Sequence, residues 1–443
     1  MLRGINKAQK DDAYRLLQCL VVAVRPLRVE ELAELLAFDF QGSSSGGIPK
    51  LKDDWRWDDQ EQAVLSTCSS LIAIVRGSGD SRVVQFSHFS VKEYLTSPRL
   101  ARSQGDISRF HIDLDAAHTI MAQACLGALF RQDEDTSNSG GNEFPLAKYA
   151  AQHWVEHAQF GKVSSRIRDG MDDLFDASKP HFAAWLRVHD IDEVWAFFHP
   201  PQYNGGSPLY YAAFCGFYDL AERLIAKYPE QVNAMSGRIV APLPAALYKR
   251  HFRVADLLHR HGADVDIRAR EDWTPLYCAS MDGHVDIMQW LFDHGADVNV
   301  TLKVPSFIGQ VPLHVAAINW YPEAVQLLLD HNADVNWQNE QGHTPLSMTI
   351  FYRVSSQEKK AVDVVRRLLE HGADPNARPS NDTSLLHQCS SHGWLEVVRL
   401  LHTYGAKVDE KDEEGKTAFE VASEKGYHEI ARLLSEHVVV PQP

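Results

Sequence analysis

The chain has 443 residues, 44% of them hydrophobic, with 44 basic against 59 acidic side chains and a formal net charge of −15, a length that calls for two or more domains. From Ser207 onward it carries 22 basic and 31 acidic residues, net −9, and the remainder carries 22 and 28, net −6, so neither half offers the basic face that nucleic acid demands. The six cysteines, Cys19, Cys68, Cys125, Cys215, Cys278 and Cys389, are scattered without a Cys-x-x-Cys pair and read as small buried hydrophobes in a reducing compartment.

Met1 to Asp12 is polar, with no apolar signal core, and the apolar run Cys19 to Val24 is too short to span a bilayer. The expectation is a cytoplasmic protein without membrane contact. Asp11 to Val24 predicts a helix with Tyr14, Leu17, Leu20, Val21 and Val24 on one stripe, ended by Arg25-Pro26. Val29 to Ala37 predicts a second helix, Gln41 to Gly47 a Ser/Gly linker, and Asp58 to Cys68 a third helix. Leu71 to Val75 and Val83 to Phe86 predict two strands around a turn at Gly77 to Ser81, and Ser90 to Ser97 a further helix. Three helices and a hairpin are the order of a winged helix. The third helix opens Asp58-Asp59-Gln60-Glu61, which would repel phosphates, so a protein contact is expected there rather than DNA.

Residues 116 to 188 are helical in pattern, with candidates at Ala116 to Phe130, Pro145 to Phe160, Val163 to Phe175 and Pro180 to Val188, and a polar loop at Gln132 to Asn142. Two short matches need weighing. Gly42-Ser43-Ser44-Ser45-Gly46 has the spacing of a nucleophile elbow, but it lies in a low-complexity linker without the strand and helix that strain such a turn. His153-Trp154-Val155-Glu156-His157 puts two histidines on one helical face, as a zinc site would. No third ligand presents itself, and Tyr149 and Trp154 favour a packed amphipathic helix. Neither a metal nor a cofactor is expected, nor a catalytic set.

The second half carries one phrase seven times. It reads Ser-Pro-Leu-Tyr-Tyr-Ala from Ser207, Ala-Pro-Leu-Pro-Ala-Ala from Ala241, Thr-Pro-Leu-Tyr-Cys-Ala from Thr274, Val-Pro-Leu-His-Val-Ala from Val311 and Thr-Pro-Leu-Ser-Met-Thr from Thr344, with decayed copies from Ser384 and Thr417. The spacings are 34, 33, 37, 33, 40 and 33 residues. A period near 33 with this phrase resembles the ankyrin repeat. Each unit should run as finger, inner helix and outer helix. Proline in the first turn loses no hydrogen bond, His314 and His387 can tie inner helices to neighbouring backbone, and His-Gly-Ala-Asp at His261, His294 and His371 closes outer helices on a glycine. Leu302 to Gln310 lengthens one finger and Ser355 to Ala361 one inter-helix turn.

Phase also selects the concave face, the residue before each Thr-Pro slot and the exposed inner-helix sites. In the early repeats these are Phe214, Val240, Tyr248 and Lys249; in the middle Trp273, Met281, Asp282, Ile318 and Asn319; later His343, Phe351, Tyr352 and His392. So many apolar side chains at solvated positions read either as a protein-binding groove or as rings packed on adjacent fingers.

In the first half, Phe86-Ser87-His88-Phe89-Ser90-Val91-Lys92-Glu93-Tyr94-Leu95 resembles the winged-helix segment that follows the NTPase module of NACHT-type (STAND) signalling ATPases. Arg25-Pro26-Leu27-Arg28-Val29-Glu30-Glu31-Leu32-Ala33, Cys68-Ser69-Ser70-Leu71-Ile72 and Tyr149-Ala150-Ala151-Gln152-His153-Trp154 extend the resemblance over residues 15 to 192, to the region between NACHT module and ankyrin repeats in fungal NACHT–ankyrin proteins. The resemblance implies a relay between sensor and switch, with His88 in the place of the histidine that packs on the phosphates of bound ADP. The same winged-helix family is sometimes labelled by reference to lipid deacylases, but no residues here support that chemistry. No Gly-x4-Gly-Lys-Ser/Thr occurs; Gly415-Lys416-Thr417 has Glu410 where the first glycine belongs. The nucleotide role of His88 therefore requires a NACHT ATPase outside this sequence, and a hydrogen-bonded histidine at a strand end is the plainer reading.

The expected protein is mainly α: a winged helix over 1–100, a helical bundle over 101–203 and an ankyrin solenoid of about seven repeats over 204–443. It would bind a protein partner in the groove without catalysis. The alternative is a regulatory subunit acting in trans on a NACHT-type ATPase through His88.

Overall fold

A computed structural model of the chain describes all residues except 1, 3–4, 6–9, 41–46, 53–58, 78–80, 132–143, 193–205, 270–271, 304–307, 352–357, 379–382 and 436–443. The fold is mainly helical and divides into two compact units, Met1–Leu257 and Leu258–Pro443.

The first unit opens with helices Lys10–Val22, Val29–Leu36 and Gln60–Cys68, followed by the antiparallel strands Ile72–Arg76 and Arg82–Phe86. This is the winged-helix order. A third strand, Leu27–Arg28, lies on the other side of Arg82–Phe86, with Leu27 opposite Val84. Two residues are too few to show a period, which is why the sequence does not reveal them. Phe38–Asp39 and Lys50–Leu51 form a second small ladder across the Ser/Gly linker. The linker itself, with Gly42 to Gly46, lies outside the described residues, as does the Gln132–Asn142 loop.

Buried Glu31 ties this domain together. It accepts two hydrogen bonds from the Arg25 guanidinium at 2.7 and 2.9 Å, and others from Arg28 N–H at 2.8 Å and Nε at 3.0 Å. Burial alone would raise its pKa, but these donors outweigh it and hold the carboxyl below the ordinary range. Arg28 also donates to Pro145 O at 3.2 Å, and Leu146 N–H donates to buried Glu34 at 2.7 Å. Helix Pro145–Ala158 is thereby fixed to the winged helix.

The bundle consists of Leu114–Arg131, Pro145–Ala158, Val163–Arg166, Arg168–Leu174 and His181–Val188. The helix expected over Val163 to Phe175 breaks at Ile167, where φ −107° and ψ 23° leave the helical basin. Trp154, Phe175 and Trp185 are wholly buried, and Phe182 nearly so. Their rings meet those of Tyr211 and Phe217 from the first repeat, Trp154 to Phe217 at 5.6 Å and Trp185 to Tyr211 at 5.8 Å between centroids. Offset and edge-on ring pairs of this kind add roughly 0.5–1.5 kcal/mol each beyond area burial.

Every expected repeat forms its helix pair. The inner helices are Pro208–Phe214, Pro242–Tyr248, Pro275–Asp282, Pro312–Ile318, Pro345–Phe351, Leu385–Ser391 and Ala418–Glu424. The outer helices are Tyr218–Lys227, Phe252–Arg260, Val285–Asp293, Pro322–Asp330, Glu358–Glu370, Leu395–Thr403 and His428–Ser435. Ser207, Thr274, Ser384 and Thr417 each cap an inner helix by accepting a backbone N–H three residues on. Of the insertion expected to lengthen a turn, Glu358 to Ala361 instead extend an outer helix to 13 residues.

The second unit shows how repeats join. His314 accepts from Val311 N–H through Nδ1 and donates through Nε2 to His343 O at 2.9 Å; His387 binds Lys416 O likewise. Burial pushes the pKa of His314 down to about 4, consistent with a neutral donor–acceptor ring. Between inner and outer helix, Gly283 holds φ 69°, and a Cβ there would lie 2.6 Å from the Tyr321 ring of the next repeat. Gly393 has the same relation to Tyr427. Trp320 fills this slot at φ 54° and carries the strain of a bulky left-handed residue.

A ladder of short polar side chains joins successive turns. Asn299 Oδ1 accepts from Asp334 N–H at 3.2 Å, Asn336 from Asp374 N–H at 2.8 Å and Asn376 from Lys407 N–H at 2.9 Å. The amides of Asn336 and Asn376 also donate forward to Gly372 O and Gly405 O. Asp266 occupies the equivalent place one repeat before Asn299. It accepts from Asp297 N–H at 3.1 Å but has no N–H for Gly295 O, the equivalent carbonyl.

Burial raises the Asp266 pKa, with the bond from Asp297 N–H opposing it and Asp264 and Asp297 adding to it. A raised carboxyl costs stability while charged, and that cost fades as pH falls through its range. Asp266→Asn should therefore stabilise the second unit by about 0.5–1.5 kcal/mol, the worth of one added hydrogen bond. Urea unfolding at pH 7.5, with hydrogen exchange at residues 294–300 as the local readout, should show the gain. It should shrink in acid, where Asp266 loses its charge.

Candidate functional site

The candidate face is made by finger ends and inner helices. In several fingers the residue before the capping slot closes a hairpin. Trp273 O accepts from Ala269 N–H and His343 O from Asn339 N–H, as Val240 O does from Ser236 N–H in the first unit. In the lengthened finger this post falls to Gln310, whose carbonyl accepts from Leu302 N–H at 3.0 Å.

In the second unit, Trp273, Met281 and Ile318 are half-buried and pack together against buried Tyr277, Leu302 and Val315. Tyr277 donates its hydroxyl to the buried Gln310 side chain at 3.2 Å. Trp337 Nε1 donates to Gly309 O at 3.0 Å, which fastens the inserted finger to the one after it. Leu302 and Gln310 support the face, yet phase counting passes over them because they belong to the insertion. Asp272 seats the finger, accepting from Arg268 at 2.6 Å and Lys303 N–H at 3.0 Å.

The remaining positions divide. Asp282, Asn319 and His392 are exposed, His343 and Phe351 are half-buried with centroids 5.7 Å apart, and Tyr352 lies outside the described residues. In the first unit, Lys249 is exposed and Tyr248 and Val240 are half-buried. Phe214 departs from expectation. It is 5% exposed, stacked on Tyr210, with the Lys249 ammonium 4.4 Å from its ring centre. It is packing rather than a partner contact. Trp273 departs in part, because its Nε1 is buried without a hydrogen-bond partner and its ring leans on Tyr277 at 6.2 Å.

The histidines singled out by sequence take separate places. His88 is exposed and caps helix Phe89–Leu95, its Nδ1 accepting from Ser90 N–H at 3.2 Å. Beside it Phe89 is 73% exposed, and Tyr94 is exposed on the same helix. His157 is wholly buried, with Nε2 2.9 Å from the Tyr149 hydroxyl and Nδ1 2.9 Å from Nδ1 of His118. Burial, then His118 and His153, push its pKa down to about 3. His153 turns to Glu156 instead. Among the described residues no three His, Cys, Asp or Glu side chains are placed to hold a metal, and no helix is long and apolar enough to cross a membrane.

The family "Ankyrin repeats" matches residues 209–302, 303–379 and 352–441. The family "GPI inositol-deacylase, winged helix domain" matches residues 2–108. The "Azaphilone pigments biosynthesis cluster protein L" of Monascus ruber is 30% identical over 288 residues, covering 60% of this chain and 58% of that protein. The chain thus spans a little over half the length of that relative. Among solved structures, the ankyrin repeat domain of Bcl-3, a member of the IkappaB family, is 27% identical, covering 52% of this chain and 99% of that one at a TM-score of 0.45.

Because the Trp273 ring supports its neighbours as well as facing outward, Trp273→Ala should cost stability. A fully buried Trp→Ala change costs about 3–5 kcal/mol, and a half-buried ring roughly half of that. Thermal unfolding followed by circular dichroism should show the loss, whereas Asn319→Ala on the exposed rim should leave the midpoint within a degree or two of wild type.

Proposed function

The chain belongs to the ankyrin-repeat family, and on that premise we propose that it is a non-enzymatic binding protein whose repeats capture a protein partner. The observation that carries this reading is the apolar row of Trp273, Met281 and Ile318, half-open to solvent on a well-packed base and flanked by exposed Asp282 and Asn319. Buried aromatic and aliphatic anchors within a polar rim are the composition of interface hot spots. In this reading residues 1–100 form the winged helix, 101–203 the helical relay and 204–443 the recognition arm. The chain works in the cytoplasm and needs no cofactor, nucleic acid or membrane. The Glu31 network that fixes the bundle to the winged helix supports a relay role.

A second reading, action in trans on a NACHT-type ATPase through His88, is favoured by one observation. His88 and Phe89 stand exposed at the start of their helix instead of being absorbed into the core.

Charge change on the exposed rim tests the first reading without touching the core. The double variant Asp282→Arg, Asn319→Glu should melt like wild type yet lose at least tenfold in capture of the partner that wild type draws from lysate, as identified by mass spectrometry; about 1.4 kcal/mol is one decade. Equal capture by both proteins sinks the groove reading. Calorimetry separates the second: ADP or ATP added to the chain alone should give no micromolar binding. Nucleotide binding abolished by His88→Ala would transfer the role to His88.

A further inference from the structure

Two carboxylates at the end of the helical bundle reach into the first repeat. Asp192 is 0% exposed. Its Oδ2 accepts from the Tyr210 hydroxyl at 2.7 Å and from Arg238 N–H at 2.7 Å, whereas its Oδ1 is buried with no hydrogen-bond partner. Asp190 accepts from the Tyr211 hydroxyl at 2.6 Å and lies 3.9 Å from the Arg238 guanidinium. Tyr210 passes the connection on, its oxygen accepting from Ile239 N–H at 3.1 Å. One bundle end, one inner helix and one finger thus converge on two acids, all within the first unit. Gly237 leaves room for this, since a Cβ there would lie 2.2 Å from the Tyr210 ring.

We infer that Asp190 and Asp192 form a proton-sensitive clamp that closes the bundle on the first repeat and tightens as pH falls. The charged groups facing Asp192 are Asp190 on its own segment and Arg238 on the finger, with Tyr210 on the inner helix as neutral donor. The arginine is shared with Asp190, so among the described residues Asp192 has no cation of its own, and its Oδ1 has no protein donor. A proton taken up on Oδ1 cancels the buried charge and the repulsion from Asp190. It leaves both bonds to Oδ2 in place. The chemistry agrees: burial first, and Asp190 next among the raising influences, lift this carboxyl to about 6 against the bonds from Tyr210 and Arg238 N–H. A group held more tightly protonated in the closed state favours closure on the acid side of that value, and the advantage is lost as pH rises through it.

The test is hydrogen exchange of the Arg238 and Ile239 amides in the full chain, corrected for intrinsic exchange, because both amides donate directly into the clamp. With the closed-state value near 6 and an open-state value of 3.8, protection in wild type should be about tenfold greater at pH 5 than at pH 7.5. Asp192→Asn should show the high protection at both pH values. Asp190→Asn, which keeps the Asp192 carboxyl, should shift the midpoint of the wild-type profile to lower pH. A flat wild-type profile, an Asp192→Asn variant that is less protected at pH 7.5, or an Asp190→Asn midpoint that stays put each overturns the clamp. A purely structural carboxylate would give loss of protection at every pH.

Discussion

No ankyrin repeat closes a core by itself, and the ring seam at the start of this array answers that constraint. Each helix pair is apolar on the faces it turns to its neighbours, so an array needs something to cover its first face. Here Trp154, Phe175, Phe182 and Trp185 from the bundle meet Tyr211 and Phe217 from the first repeat in a contiguous buried cluster. Gln159 adds a hydrogen bond to Cys215 O at 2.6 Å, and Arg223 a paired contact to Asp172 at 2.6 and 2.8 Å. The bundle covers the open face of the first repeat, and that repeat belongs to the same compact unit as the winged helix. Through Glu31, Arg28 and Glu34, the same bundle is anchored at its other side to the winged-helix strands and helix.

Within the second unit, two kinds of contact recur for different reasons. Rings seated over left-handed glycines and histidines bonded to the next finger set the spacing of inner helices, where apolar packing decides. The Asx ladder holds the exposed turns, where side-chain oxygens pair with backbone N–H groups of the next repeat. The inserted finger is built into both systems, through Gln310 to Tyr277 and through Gly309 to Trp337. Its base is therefore rigid enough to support Trp273, Met281 and Ile318 as a defined surface.

The sequence discloses what is periodic and local. The capping hydroxyls, the proline in the first turn and the glycine after the outer helix act within four residues of themselves, and the repeats stand where they predict. The winged-helix order is legible for the same reason, each helix carrying its own stripe. Partnerships across long separations are not. Leu27–Arg28 becomes a strand only because Val83 and Val84 pass beside it. Asp192 looks like a linker acid until Tyr210 and Arg238 fold over it. Phe214 has the phase of an exposed residue, but a neighbouring lysine ammonium and a tyrosine cover it. Phase gives direction along a helix; it does not say what the next element lays on top.

The glycine seats also bear on how such an array changes length over evolutionary time. His251, Tyr321 and Tyr427 are chemically different rings, yet each rests over the glycine of the repeat before it. A seat that accepts different flat side chains makes repeats joined by it interchangeable parts, so a duplication or deletion of one full period preserves such a junction. A shift by one or two residues inside a helix pair misaligns the rings with their glycines. Additions are then tolerated where no seat is disturbed, and the two insertions in this chain fall at a finger and at the start of an outer helix. The grammar of the junction, more than the sequence of any repeat, is what selection has to keep.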